Sequence, residues 1–464
     1  MAGIFKAYDI RGIVGDAPDA PLTPQRAYLI GRGLAHSVFA GFSPIAISHD
    51  MRTHSPQLYG ELSRGLRDGG CDVIEVGLCA TPMNYWAINE YDARGGVQVT
   101  ASHNGPEYNG FKVSGPGASP LDYSSGLNMV EQYVLDAEAG EIPAPVENVG
   151  TATQVENVLR DYLAWMNKFV GAGDKSLTVG IDAGNGMGGL FLPDFFAHHA
   201  QWQATPLFWE LDGNFPNHEA DPLKAENLVD VQKLVRDNKL DFGVAYDGDA
   251  DRCMFVDENG DSISSDLITA LIAADILGQQ PGATILYDLR SSKVVPEWIK
   301  EHGGVPMRGR VGHSFMKRLM KREGAMFGGE LSGHYYFAAC FNTDSGLMMM
   351  IKVLNLLSNS DKPLSEHIAP LRRYRATGEI NYRVEDAAQT LEKVKSHYEA
   401  QGATTDELDG LTVEMPDGSW WFNLRSSNTE PLLRLNLEAA DEAARDAHLK
   451  EVQQLLGAEP VAGH

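Results

Sequence analysis

The sequence predicts an α/β chain: three related α/β units in succession, followed by a smaller C-terminal α+β segment. Three observations carry this reading. A β-rich apolar run ending in Asp, then a polar turn, then helical spacing occurs three times. Breaks bearing Pro and Gly separate the repeats. Beyond them the order changes to strand, helix, hairpin, strand and helix over roughly 90 residues. At ~150 residues per domain, a chain of 464 residues has room for about three domains with buried cores, and the breaks divide it into four.

In the first unit Pro44-Ile45-Ala46-Ile47-Ser48-His49-Asp50 reads as a strand, and Leu58, Leu62 and Leu66 after it share one helical face. In the second, Leu177-Thr178-Val179-Gly180-Ile181-Asp182 runs into Ala183-Gly184-Asn185-Gly186. The glycines between 180 and 189 depart from GxGxxG spacing and lack the Lys of a Walker loop, which leaves them to turn geometry and helix packing. In the third, Ala283-Thr284-Ile285-Leu286-Tyr287-Asp288 runs into Leu289-Arg290-Ser291-Ser292. Each Asp stands at the carboxyl end of its strand, where open α/β sheets place ligand-binding loops. Gly140-Glu141-Ile142-Pro143-Ala144-Pro145 reads as a linker, and Asp361-Lys362-Pro363 with Leu371-Arg372-Arg373-Tyr374 marks the last change. The tail reads as a strand near Ile380 to Val384, a helix from Asp386 to Glu399 and a hairpin turning on Pro416-Asp417-Gly418. A strand from Leu432 to Leu437 and a helix reaching Leu456 complete it. The expected domains are 1–146, 147–260, 261–372 and 373–464.

Lys and Arg number 38 against 63 Asp and Glu, a formal charge of −25 in a chain that is 43% hydrophobic. The hydrophobic share supports folded cores, while the acidic excess disfavours a nucleic-acid backbone or a membrane surface as partner. The apolar stretches Ile268 to Leu277 and Leu347 to Ile351 fall short of the ~20 residues of a spanning helix. Met1-Ala2-Gly3-Ile4-Phe5-Lys6 has no basic-then-apolar leader. The expectation is a cytoplasmic protein, with oligomeric state left open. Cys71, Cys79, Cys253 and Cys340 form no CxxC pair and read as core thiols. An anionic ligand would require the scarce cations to gather where it binds.

Four strings carry chemistry. Asp247-Gly248-Asp249-Ala250-Asp251-Arg252 follows the apolar run Phe242 to Tyr246, and three carboxylates at alternate positions in a glycine-tightened turn can converge on a hard cation such as Mg²⁺ or Ca²⁺. An EF-hand would place Gly at the sixth position, where Arg252 stands, and a plain acidic turn would leave the carboxylates repelling one another. Val97-Gln98-Val99-Thr100-Ala101-Ser102-His103-Asn104-Gly105-Pro106 delivers Ser102 to a strand end. It is either a capping serine beside a surface histidine or, facing a metal, a hydroxyl able to accept and return a phosphoryl group. No GxSxG elbow accompanies it, which weakens a serine hydrolase reading. Phe327-Gly328-Gly329-Glu330-Leu331-Ser332-Gly333-His334 sets Glu330 and Ser332 two apart, suited to vicinal sugar hydroxyls or to a glycine-rich turn. Leu424-Arg425-Ser426-Ser427-Asn428-Thr429-Glu430-Pro431 offers a guanidinium, hydroxyls and an amide as a phosphate cradle, or a polar turn between strands.

These strings, with Tyr8-Asp9-Ile10-Arg11-Gly12 and Gly312-His313-Ser314, resemble in order the α-D-phosphohexomutase superfamily, and most closely its bacterial phosphomannomutase/phosphoglucomutase branch. The resemblance spans the chain. It implies four domains around a central cleft, three related mixed-sheet α/β domains and a smaller α+β lid. It implies that Ser102 is carried as phosphoserine and that Mg²⁺ is held by Asp247, Asp249 and Asp251 with Ser102. Hexose 1- and 6-phosphates would then interconvert through a hexose 1,6-bisphosphate, which also serves as activator. By position Glu330 and Ser332 match sugar-hydroxyl contacts, Lys112 and His334 the acid/base candidates, and Arg11 and Arg252 charges steadying the reacting group. Tyr8, Arg290 and His313 match phosphate or sugar contacts, and Arg425, Ser427, Asn428 and Thr429 the phosphate cradle.

Two positions stand apart. The family's Pro directly after Ser-His-Asn is Gly105 here, with Pro106 next. Leu331 stands where phosphoglucosamine mutases carry Gln, which favours glucose and mannose phosphates, whose 2-hydroxyl no string reports on. The alternatives are a non-turnover phosphosugar-binding protein, a phosphoglucosamine mutase, or a phosphatase that hydrolyses its phosphoserine. Intact Ser102, the three Asp and the cradle argue against mere binding.

Overall fold

The computed structural model describes residues 3–17, 20–140, 142–426 and 432–461. The chain divides into two units, one of residues 1–265, 317–327 and 332–366, the other of residues 266–316, 328–331 and 367–464.

The first sheet of the first unit has six strands in the spatial order Ile10–Ile13, Tyr108–Ser114, Gly96–Val99, Ile45–His49, Val73–Leu78, Ala152–Gln154. Ile45–His49 runs parallel to both neighbours, and Tyr108–Ser114 runs antiparallel to both of its own, so the sheet is mixed. The last strand pairs with Val73 to Glu75, which carries this sheet past residue 146. Leu58, Leu62 and Leu66 of the helix Ser55–Asp68 are fully buried, as their spacing requires. That helix meets Pro24–His36 backbone to backbone: a Cβ on Gly31 would stand 2.5 Å from the Leu62 carbonyl, and one on Gly65 2.2 Å from that of Tyr28. The linker after Gly140 is pinned, because the buried Arg32 guanidinium donates to the carbonyls of Pro143 and Ala144.

The second sheet orders its five strands Ser262–Ile263, Cys253–Val256, Phe242–Tyr246, Leu177–Asp182, Trp202–Leu207. Phe242–Tyr246 is buried throughout, parallel to Leu177–Asp182 and antiparallel to Cys253–Val256. The turn from 247 to 252 joins Phe242–Tyr246 to Cys253–Val256, at the sheet end where the predicted strand-terminal Asp182 also emerges. Tyr335–Phe337 and Thr343–Asp344 form an antiparallel pair beside the helix Gly346–Ser358, which Ser345 caps.

In the second unit Thr284–Asp288 and Val305–Gly309 pair in parallel. The C-terminal sheet is antiparallel throughout: Thr404–Asp406, Leu411–Glu414, Trp420–Ser426, Leu432–Ala439, Arg375–Arg383, Pro460–Val461. Helices Ala387–Glu399 and Glu442–Leu456, capped by Asp386 and Asp441, bury Val394, Tyr398, Val452 and Leu456 in its core. The strand expected near Ile380 to Val384 begins at Arg375 instead. Its first half is exposed and polar, so ladder hydrogen bonds define it and no apolar pattern announces it. The chain therefore has three α/β domains with mixed sheets and a C-terminal domain with an antiparallel sheet. The four cysteines are buried and free, and among the described residues no helix is long and apolar enough to cross a membrane.

Candidate active site

Strand Gly96–Val99 ends and the chain turns sharply, placing Ser102 at φ +52°, a left-handed conformation costly for a residue with a side chain. Buried Arg52 holds this turn. Its guanidinium donates to the carbonyls of Ser102, Asn104, Gly105 and Tyr108 and pairs with Asp50 at 3.2 Å. Ser102 is 3% exposed, and its Oγ donates to Asp247 Oδ2 at 2.9 Å while accepting from Arg252 at 3.3 Å. His103 is half-buried, and desolvation, reinforced by Arg252, Arg11 and Lys112, lowers its pKa and keeps its ring neutral. It takes a hydrogen bond from Arg252. Arg11 pairs with Asp9 at 2.5 Å and donates to Asn104 of the same turn.

The acidic loop lies against the serine turn. A Cβ on Gly248 would come within 2.3 Å of the Ser102 carbonyl, so only glycine permits this approach. Asp247, Asp249 and Asp251 are fully buried, and one oxygen of each lies within 4.8 Å of the others. Lys112 Nζ donates to Asp249 at 2.7 Å and to Asp251 at 2.5 Å, Thr81 Oγ1 donates to Asp249 at 2.6 Å, and Arg252 Nε donates to Asp247 at 3.0 Å. Burial and repulsion from Asp251 and Asp249 push the Asp247 carboxyl up to about 8. Burial also opposes charge on Asp251, yet Lys112 and His334 outweigh it and take that carboxyl down to about 2. Oδ1 of Asp249 and Oδ1 of Asp251 are buried without a hydrogen-bond donor, a costly arrangement in a protein interior. Three carboxylates with two unanswered oxygens fit a hard, oxygen-seeking dication. Beside them, His334 Nδ1 lies 2.9 Å from Asp344 and 3.7 Å from Asp251, and Lys317 pairs with Asp344 at 2.9 Å.

In the second unit a different set gathers. Arg290 pairs with Asp288 at 2.7 Å, and Asp288 also accepts the backbone N–H of Leu331 at 2.7 Å. Glu330 accepts from the backbone N–H of Gly312, next to His313, at 2.7 Å. Arg425 and Arg434 stand directly opposite each other on neighbouring strands, a like-charged pair that costs stability unless an anion intervenes. Glu379 intervenes, at 2.9 Å from Arg425, 3.2 Å from Arg434 and 3.8 Å from Arg290.

Of the residues singled out in the sequence, Ser102, Asp247, Asp249, Asp251, Arg252, Lys112 and His334 thus share one buried network in the first unit, with Arg11 at its edge. Tyr8 and Ser332 are half-buried residues of the same unit. Arg290, Arg425, Glu330 and His313 belong to the second unit. Ser427, Asn428 and Thr429 lie outside the described residues. Arg52, Thr81, Asp344, Lys317, Glu379 and Arg434 escaped sequence reading. Only Arg52 carried a signal, standing two residues after the strand-terminal Asp50.

Comparison with known proteins defines the class first. Family models described as phosphoglucomutase/phosphomannomutase alpha/beta/alpha domains I, II and III and C-terminal domain match residues 2–139, 161–260, 264–374 and 379–454, the order of a mutase. A protein of Xanthomonas campestris described as "Phosphohexose mutases" is 38% identical, covering 97% of this chain and 98% of its own. The "Phosphoglucomutase" of Neisseria gonorrhoeae is 39% identical, covering 95% of this chain and 94% of its own. A crystal structure of a phosphoglucomutase/phosphomannomutase family protein from Burkholderia thailandensis superposes with a TM-score of 0.88 at 30% identity, covering 98% of each chain. The chain belongs to the phosphoglucomutase/phosphomannomutase family, and it is an isomerase of the mutase type.

Proposed function

We propose that this mutase is Mg²⁺-dependent and interconverts hexose 1-phosphate and hexose 6-phosphate, with glucose or mannose as the sugar, through phosphoserine at Ser102 and a hexose 1,6-bisphosphate. The supporting observation is the Ser102 hydroxyl, strained at its backbone and hydrogen-bonded to one of three buried carboxylates. In the forward half-reaction a sugar hydroxyl attacks the phosphorus on Ser102, the bond from phosphorus to Oγ breaks, and the hydroxyl proton is balanced by one arriving at Oγ. Lys112 and His334 are the groups assigned to that proton traffic. Burial disfavours charge on both, and neighbouring carboxylates outweigh it and raise both pKa values in the metal-free arrangement. Arg252, in contact with Ser102 Oγ, and Arg11, holding Asn104, steady charge around the transferred group. Mg²⁺ held by Asp247, Asp249, Asp251 and Ser102 would supply neutralisation of the phosphoryl oxygens. The phosphate that is not being transferred is assigned to Arg290 and Arg425, with the loop of Ser427, Asn428 and Thr429, and the sugar hydroxyls to Glu330 and Ser332. Tyr8 and His313 are assigned to phosphate or sugar contacts. Leu331 and the relatives' names favour glucose and mannose over glucosamine phosphates.

Purified protein with glucose 1-phosphate, Mg²⁺ and a trace of glucose 1,6-bisphosphate should yield glucose 6-phosphate. Release of inorganic phosphate instead makes it a phosphatase, and no change leaves a binding protein. Ser102→Ala should lose turnover by roughly 10³-fold or more while still binding sugar phosphate, and should abolish a phosphoryl mass increment on the wild-type chain.

A further inference from the structure

At the far end of the second sheet from the acidic loop lies a cavity of about 280 Å³. The buried strand Phe242–Tyr246 separates the two, a span of about 17 Å at ~3.3 Å per residue. Four cations line the cavity: Lys175, Arg236, Lys239 and Lys362. Carboxylates outnumber cations 63 to 38 in this chain, so four cations beside two acids reverse the overall balance. Here the two acids of the cavity, Asp241 and Glu258, are already satisfied by neutral donors. Asp241 accepts from the N–H and hydroxyl of Thr178 at 2.7 and 2.8 Å, and Glu258 accepts from the N–H and hydroxyl of Ser365. Lys175 and Arg236 donate to the carbonyls of Ser360 and Gly260, and among the described residues none of the four cations pairs with a carboxylate.

The helix Val229–Asn238 ends at this cavity, and its terminal carbonyls favour positive charge at Arg236 and Lys239. That accounts for two of the four. Lys175 precedes the strand Leu177–Asp182 and Lys362 follows the helix Gly346–Ser358, so three separate segments bring charge to one place. The rest of the lining is apolar, with Leu177, Leu240, Leu357 and Leu364 all buried. Such a wall offers a sugar few acceptors but suits a flat heterocycle.

We propose that this cavity binds a nucleotide of one base and one or two phosphates, the phosphates against the four cations and the base over the leucines. Its position, away from Ser102 and the acidic loop, makes it a second site. The test uses ADP and the whole protein in isothermal titration, compared with a Lys239→Glu/Lys362→Glu variant whose unchanged thermal midpoint reports an intact fold. Both lysines are exposed, and if the pair proves unstable the single change Lys362→Ala serves the same comparison. The expected result is saturable ADP binding that weakens at least tenfold in the double variant, or measurably in the single one, with inorganic pyrophosphate binding more weakly than ADP. No binding at millimolar ADP, binding indifferent to the lysine changes, or pyrophosphate binding as tightly as ADP would each overturn the proposal.

Discussion

Around Ser102 three buried carboxylates face Lys112 and Arg252, whereas in the second unit three guanidinium groups converge on Glu379, with Asp288 holding only Arg290 beside it. The first cluster leaves acidic oxygens unanswered, and the second holds two arginines side by side on adjacent strands. The first fits a cation and the second an anion, the two charged partners that the proposed metal-dependent transfer of phosphate would need. The same kind of change, loss of one carboxylate, should therefore act in opposite directions in the two places.

The largest effect is expected at Asp249. Asp249→Asn removes a cation ligand and half of the counter-charge of Lys112, and turnover with glucose 1-phosphate should fall on the order of 10²-fold or more. A loss of less than threefold would break the contrast. Metal removal comes next. With its carboxyl near 8, folded Asp247 keeps a proton that the unfolded chain gives up above the ordinary carboxylate range. In EDTA its contribution thus makes the protein less stable as pH rises from about 4 to about 8, and a bound cation relieves the repulsion. The gain in thermal midpoint on adding Mg²⁺ should be larger at pH 8 than at pH 6, and an equal gain at both would count against the assignment of Asp247. Gly248→Ala should destabilise by about 1–3 kcal/mol in chemical denaturation, because its new methyl meets the Ser102 carbonyl backbone. The smallest effect is expected at Glu379. Glu379→Gln should lower the KM for hexose phosphate about twofold to fivefold, since the substrate phosphate no longer competes with a carboxylate for Arg425. Burial opposes charge on Glu379, but Arg425, Arg290 and Arg434 prevail and lower its pKa. Its stabilisation is present above the ordinary carboxylate range and lost as pH falls through the lowered value, so the variant should lack that acid-side loss. A raised KM would make Glu379 a support for the arginines instead.

The contrast also explains what the sequence made legible. Asp247 to Arg252 and the turn at Ser102 could be read because ligand spacing and loop chemistry are local, written in six or ten consecutive residues. The repeat of strand, Asp and helix was legible for the same reason, and strands Leu177–Asp182 and Thr284–Asp288 end where the pattern places them. Arg52 is different. Its four carbonyl partners lie about 50 residues away, and nothing in Met51-Arg52-Thr53 announces them. Lys317, Asp344 and Glu379 are likewise single charges in ordinary surroundings, given partners only by tertiary packing. Each of these is also an ion-pair member, the class of residue for which local pattern carries least information.

The hydrogen bond between Ser102 and Asp247 spans 145 residues of chain. On a ribosome adding ~5–20 residues per second, Ser102 emerges roughly 7 to 30 s before its acidic partner exists. Until then Gly248 is not there to rest on the Ser102 carbonyl, and the strained turn is held from within the first sheet's own segment, by Arg52 and Arg11. A nascent chain therefore holds a folded first sheet and a serine with no means of transferring phosphate. The proposed transfer waits first on the docking of the second sheet's acidic loop, and then on Arg290, His334 and Arg425, which are synthesised later still.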